Sequence, residues 1–271
     1  MVNMSFRYSD KKLNKQFKFE DRQPQIKYID FENNTLRYLE LVVDPELPYV
    51  VFIHGAPGSL ADYLDYFRDE RVYNKLNLIS IDRLGYGNSD FGRSETSIQK
   101  QGEAIQSAIK KACKNDKIIL LGHSYGGPIA VKMAMDFPHN YKALVLLAPA
   151  LDPDNEKEIK MAQLPMHQPI RWLTPPALRV AADEKNTHVN ELRKMLGYYN
   201  KVNIHVCHIH GNSDSLVPYE NLAFSKNKFN DLMLESVTLE KADHFLPWSH
   251  HDFIVDKLLN IANTIIIHPS Y

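Results

Sequence analysis

The chain has 271 residues, with 32 basic against 33 acidic side chains for a formal net charge of −1, and 44% of it is apolar and 24% charged. This balance is that of an ordinary soluble globular protein and excludes a disordered tail, a collagen-like repeat and a coiled coil. The near-zero charge also excludes the broad basic footprint of a nucleic-acid binder.

The N-terminal stretch MVNMSFRYSDKKLNKQFKF is charged throughout and lacks the apolar centre of a signal peptide, so a cytoplasmic location is expected. No apolar run reaches the roughly 18 residues a membrane-spanning helix needs. Residues 17–44 alternate in a strand-like way as FKFEDRQ, QIKYIDF and TLRYLELVV, with Asn33 and Asn34 as a hairpin turn between the last two. After Pro45 and Pro48 the pattern changes. YVVFI at 49–53, LNLISI at 76–81, KIILL at 117–121 and ALVLLA at 143–148 are short continuous apolar runs, which suit strands buried on both faces. Helical periodicity fills residues 97–114 and 126–137, the latter closed by Pro138, so the layout is doubly wound α/β.

Between 151 and 201 this rhythm stops. The stretch is charged, holds five prolines, and at about 50 residues is too short for a core of its own. It reads as a cap inserted into an α/β core made of residues 1–150 and 202–271. Strands resume at NIHVCHIHG (203–211) and LESVTLE (234–240), and HHDFIVDKLLNIANTIII closes the chain as an amphipathic helix. Cys113 and Cys207 form neither a disulfide framework nor a CxxC pair and read as free thiols.

Glycine is scarce, at eleven residues or about 4% against an average near 7%, so its positions are informative. Gly122 and Gly126 flank Ser124 in GHSYG, between a predicted strand and a predicted helix. There a sharp, strained turn lifts a serine hydroxyl clear of the sheet. Tyr125 opens the following helix with a free N–H and the helix dipole behind it. Gly55 and Gly58 lie in HGAPG after YVVFI, where a loop can turn a backbone N–H inward; Pro57 has none, so Ala56 is the candidate partner of Tyr125 in an oxyanion hole. Asp82, Arg83 and Ser89, in DRLGYGNSD, read as loop-shaping residues. Asp214 follows Gly211 in HGNSDSLVP, and His244 stands in KADHF after the next strand. A serine hydroxyl is a poor nucleophile until an imidazole takes its proton, and a carboxylate fixes that imidazole's tautomer. Asp152 and Asp154, after ALVLLA, are a second, less favoured place for the acid.

The motifs HGAPG, DRLGYGNS, GHSYGG, HGNSDSLVP and ADHFLPW resemble, in order and spacing, those of the α/β-hydrolase superfamily across residues 25–267. The resemblance implies a mostly parallel central sheet with antiparallel N-terminal strands, helices on both faces and a small helical cap. It also implies Ser124, Asp214 and His244 as a triad, with Ala56 and Tyr125 as the oxyanion hole. Dehalogenases and epoxide hydrolases of this fold use an aspartate nucleophile, against which Ser124 argues. Proline iminopeptidases usually carry HGGPG and a larger cap, where this chain has Ala56 and a short cap. The expected activity is cleavage of a small carboxylic ester through an acyl-enzyme, with an amidase or aminopeptidase, a C–C hydrolase and a thioesterase as alternatives. A non-catalytic small-molecule receptor is the reading from another class. Trp172, Tyr198 and Tyr199 are candidates for lining the pocket from the cap. His208 and His210 share one face of a strand and Cys207 the other, so no metal is expected, nor any cofactor. The expected partner is a small ester or amide, with a homodimer left open.

Overall fold

The sheet is built from β1 (Gln25–Phe31), β2 (Asn34–Leu41), β3 (Tyr49–Ile53), β4 (Asn77–Ile81), β5 (Ile118–His123), β6 (Ala143–Leu147), β7 (His205–Gly211) and β8 (Leu234–Leu239). The structure is a computed structural model, and it describes residues 7–18, 22–157 and 170–268. The strand order is β1-β2-β4-β3-β5-β6-β7-β8. β1 and β2 pair antiparallel, as do β2 and β4, and every pairing from β4 onward is parallel. This is the α/β-hydrolase fold.

The apolar runs read from the sequence are explained by two cores, one on each side of the sheet. Val51, Ile53, Leu120, Leu144 and Val206 face one; Val50, Phe52, Leu121, Val145 and Cys207 face the other. A strand covered on both faces cannot alternate with polar residues. The first core is closed by α4 (Ile98–Ala112), α5 (Gly126–Asp136) and α8 (Glu220–Lys228), which contribute Ile105, Ile129 and Phe224. The second is closed by α1 (Asp10–Gln16), α2 (Leu64–Arg68), α3 (Glu70–Tyr73) and α10 (His251–Ile267), through Leu13, Phe67, Val72 and Leu258. α9 (Leu246–Ser249) precedes α10. Among the described residues no helix is long and apolar enough to cross a membrane.

The N-terminal segment departs from the sequence expectation. Ser9 caps α1, its side chain accepting from the Lys12 N–H, and Phe17 ends that helix with its ring 6.5 Å from that of Phe67. Docking of Phe17 onto the second core therefore overrides the alternation of FKFEDRQ, of which residues 19–21 lie outside the described residues. Between β6 and β7 the chain leaves the sheet, and α6 (Ile170–Leu173) and α7 (Pro176–Met195) belong to this stretch. Residues 158–169 of the predicted cap lie outside the described residues.

Candidate active site

β5 ends at His123 and α5 begins at Gly126, so the chain must reverse within two residues. Ser124 takes this turn in the left-handed region at φ +53, a conformation that a non-glycine residue holds only where its surroundings enforce it. The enforcement is visible. The Ser124 N–H donates to Leu147 O at 3.0 Å, and Ser124 O accepts from Gly127 N at 3.0 Å and Ala150 N at 3.3 Å. The turn also needs its glycines. A Cβ on Gly126 would lie 2.2 Å from Ile53 O, and one on Gly122 would lie 2.5 Å from Gly126 O.

Ala56 sits in the loop after β3, and Tyr125 immediately precedes α5 with no side-chain cap. Among the described residues, neither the Ala56 nor the Tyr125 N–H meets an acceptor. The loop carrying Ala56 is held from below. His54 donates through Nδ1 to Gly55 O at 2.7 Å and accepts at Nε2 from the Arg83 N–H at 3.0 Å. Arg83 Nε donates to His54 O and its Nη2 to Gly55 O, both at 2.9 Å. Burial, then the Arg83 charge, hold the His54 imidazole neutral, well below its ordinary titration range.

Asp214 follows β7 and His244 follows β8, and the two meet: His244 Nδ1 donates to Asp214 Oδ2 at 2.7 Å. The other oxygen, Oδ1, accepts from the Leu216 and Val217 N–H groups, both at 2.8 Å. Burial alone would raise the Asp214 titration, but hydrogen bonds from His210 and His244 outweigh it and keep the carboxyl well below the usual carboxylate range. His123 ties the His244 loop to β5, its Nε2 donating to His244 O at 2.9 Å. Burial, then the neighbouring His244, lower the His123 titration to about 3, so it stays neutral. Asp152 is occupied elsewhere, accepting from Asp154 N and Asn155 Nδ2.

Ser124, Tyr125, Ala56 and His244 line one cavity of about 700 Å³. Most of its wall is apolar: Ala150, Leu173, Leu178, Ala181, Leu216, Val217, Phe245 and Trp248 contribute. Asp62, His188 and the Glu156–Lys185 ion pair supply polar groups. Helix α7 forms the roof, and a buried ion pair fixes it in place. Glu184 on α7 accepts from Arg83 Nη1 at 2.6 Å and from the Tyr86 hydroxyl at 2.6 Å.

The structure corrects the expected pocket lining. Trp172 is 79% exposed and Tyr198 50% exposed. Tyr199 is buried in the core against Phe224 and Phe229, at ring distances of 5.5 and 5.3 Å. None of the three lines the cavity. The tryptophan that does is Trp248, in the short helix α9 that follows His244, and its place in FLPW is the available signal. No sequence motif marks Asp62, His188 or Glu184.

A family profile for the alpha/beta hydrolase fold matches residues 48–204, more than half of the chain. The chain belongs to the α/β-hydrolase family. Among named relatives, it is 35% identical over 99 residues to a proline iminopeptidase of Saccharolobus solfataricus, covering 36% of this chain and 32% of that one. It is 30% identical over 134 residues to a 1-acylglycerol-3-phosphate O-acyltransferase of Arabidopsis thaliana, covering 46% and 31%. The matches thus span about a third of these relatives' lengths. Among solved structures, the epoxide hydrolase CorEH is similar at a TM-score of 0.74 and 14% identity, over 88% of this chain and 98% of that one. The esterase EaEST from Exiguobacterium antarcticum has a TM-score of 0.71 and 17% identity, over 88% and 100%.

Proposed function

We propose that the protein is a serine hydrolase that cleaves a small, largely apolar carboxylic ester through an acyl-enzyme intermediate. The observation that carries this reading is the meeting, in one apolar cavity, of a serine held at φ +53 with a histidine bonded at 2.7 Å to a buried aspartate. Asp214 fixes the proton of His244 on Nδ1, which leaves the Nε2 lone pair to take the proton of Ser124 as its hydroxyl attacks the carbonyl. The N–H groups of Ala56 and Tyr125 receive the oxyanion; in comparable enzymes one such donor contributes about 2.7 to 4 kcal/mol. His244 then protonates the leaving alcohol, and water repeats the sequence on the acyl-enzyme. Residues 151–201 act as the cap, with α7 setting which groups fit.

The proline iminopeptidase relative favours a second reading, the same chemistry on an amide. A panel of p-nitrophenyl esters, aminoacyl-naphthylamides and acyl thioesters, with Ser124→Ala as the blank, separates the two. The expected result is ester turnover, and covalent labelling by a fluorophosphonate, that both vanish in Ser124→Ala. Absence of turnover and of labelling in the wild-type protein refutes the serine-hydrolase reading.

A further inference from the structure

His208 and His210 have no part in the chemistry proposed above. Both are fully buried on β7, on the face opposite Cys207 and Ile209. Their ring nitrogens lie 3.0 Å apart, His208 Nε2 against His210 Nδ1. At the outer end, His208 Nδ1 is 2.8 Å from Ser225 Oγ on α8. At the inner end, His210 Nε2 faces two acceptors, Val217 O at 3.3 Å and Asp214 Oδ2 at 3.5 Å.

These contacts have one solution with every ring neutral. A nitrogen facing a carbonyl and a carboxylate must carry hydrogen, so His210 is protonated on Nε2 and offers a lone pair at Nδ1. His208 must then donate from Nε2, and its Nδ1 accepts from the Ser225 hydroxyl. Burial, then the neighbouring His210, hold the His208 imidazole well below its ordinary range, which agrees with a neutral ring. The result is a chain of donors running from Ser225 through His208 to His210, whose Nε2–H is shared between Val217 O and, 3.5 Å away, the Asp214 oxygen that also receives His244.

We infer that His210, held in its Nε2–H tautomer by His208 and Ser225, is a positioning residue that orients Asp214 and disperses its charge. The inference rests on the serine-hydrolase reading for its kinetic consequence and on the contacts alone for the tautomers. Asp214 Oδ2 faces an imidazole on either side, His244 toward the cavity and His210 behind. Removing the rear donor leaves more negative charge on Oδ2 to keep a proton on His244, so the acidic limb of the pH–rate profile moves to higher pH. The other titratable groups around the relay are Tyr219, whose ring meets His210 edge-on at 5.9 Å, together with His123 and Lys226.

Two measurements on the full chain test this. In protein labelled with ¹⁵N-histidine, NMR should report both His208 and His210 as neutral Nε2–H tautomers; an Nδ1–H tautomer or an imidazolium at either overturns the relay without any substrate. In pH profiles of p-nitrophenyl ester hydrolysis, His210→Phe and His208→Leu should move the acidic limb up by about half a unit to one unit. Their kcat should fall about tenfold with KM changed less than about twofold, the loss of a charge-assisted donor felt at the reacting centre. His208→Gln retains an N–H at the same place and should restore the wild-type profile. Folded variants whose profiles superpose on the wild type refute the inference, and so does a His208→Gln profile no better than that of His208→Leu. If His210→Phe does not fold, the His208 pair decides. A wild-type protein with the assigned tautomers and no hydrolysis counts against the hydrolase reading, while the relay stands.

Discussion

Glu184→Gln is the substitution whose cost is most directly written in the structure. The Arg83–Glu184 pair is wholly buried on both sides, at 2.6 Å. Burial alone would lower the Arg83 titration, but the facing carboxylate outweighs it and leaves the guanidinium above its ordinary value. Glutamine preserves shape and one acceptor while deleting the countercharge, and it turns an amide N–H₂ toward a donor, Arg83 or the Tyr86 hydroxyl. Two unit charges about 4 Å apart interact by roughly 4 kcal/mol at an effective dielectric near 20. Stranding one partner of a buried pair costs about 3–5 kcal/mol in measured cases. At about 2–4 °C per kcal/mol for a domain near this size, the melting temperature should drop by about 10 °C. The loss should reach the chemistry as well, because Arg83 also holds the carbonyls of His54 and Gly55 beneath Ala56. Thermal melts of Arg83→Met, Glu184→Met and the double variant should show the double losing about 2–3 kcal/mol less than the sum of the singles. Additive losses, or a Glu184→Gln protein melting within about 2 °C of the wild type, would refute the argument, since a 3 kcal/mol loss cannot be that small in temperature.

Three further outcomes are expected. Gly126→Ala should abolish soluble folded protein or reduce ester turnover to background, because its Cβ would stand 2.2 Å from Ile53 O, a backbone atom in the sheet centre; soluble yield and fluorophosphonate labelling check this. Burial pushes the Asp62 carboxyl up to about 7, so the folded state keeps a proton that the unfolded chain releases near pH 4. Stability should therefore fall as pH rises from about 4 to about 7 and then level off, and urea midpoints of Asp62→Asn should lack that slope. Ala181→Trp, which builds into the cavity from α7, should cut kcat/KM for octanoyl esters at least about tenfold more than for acetyl esters, a difference of about 1.4 kcal/mol; equal losses on both would place the acyl chain elsewhere.

The sequence was most legible where one residue type alone satisfies the backbone or the chemistry. Strands β3 to β6 announced themselves because burial on both faces forces a continuous apolar run, and the turn at Ser124 because Gly122 and Gly126 have no substitute. Asp214 and His244 were identifiable from their motifs, and the 2.7 Å bond joins them. The N-terminal segment departs from its alternating pattern because α1 is fixed by its Ser9 cap and by Phe17 docking at long range, neither of which leaves a period in the sequence. The aromatic residues near the cap differ from expectation for a related reason. Tyr198 and Tyr199 are neighbours in the chain, yet one is half exposed and the other buried, and composition alone does not say which way a side chain turns. The strand period puts His208 and His210 on one face, but their contacts depend on Asp214 and Ser225, supplied by a loop and a helix further along.

The clasp between Arg83 and Glu184 also bears on how such a protein diversifies. Asp82, the residue before it, is buried against Arg37 at 2.7 Å, and Arg37 in turn reaches Asp10 on α1 at 2.8 Å. Two adjacent residues after β4 therefore fasten two different appendages to the sheet, the N-terminal helix and the roof of the cavity. The groups to which we assign the chemistry belong to neither appendage; they stand on loops after β3, β5, β7 and β8. Mutation can thus reshape Leu178, Ala181 and their neighbours along a single helix while the serine, histidine and aspartate stay in register. On the proposed function, new substrates become accessible by drift in one short stretch of the gene, on the condition that Arg83 and Glu184 are inherited together.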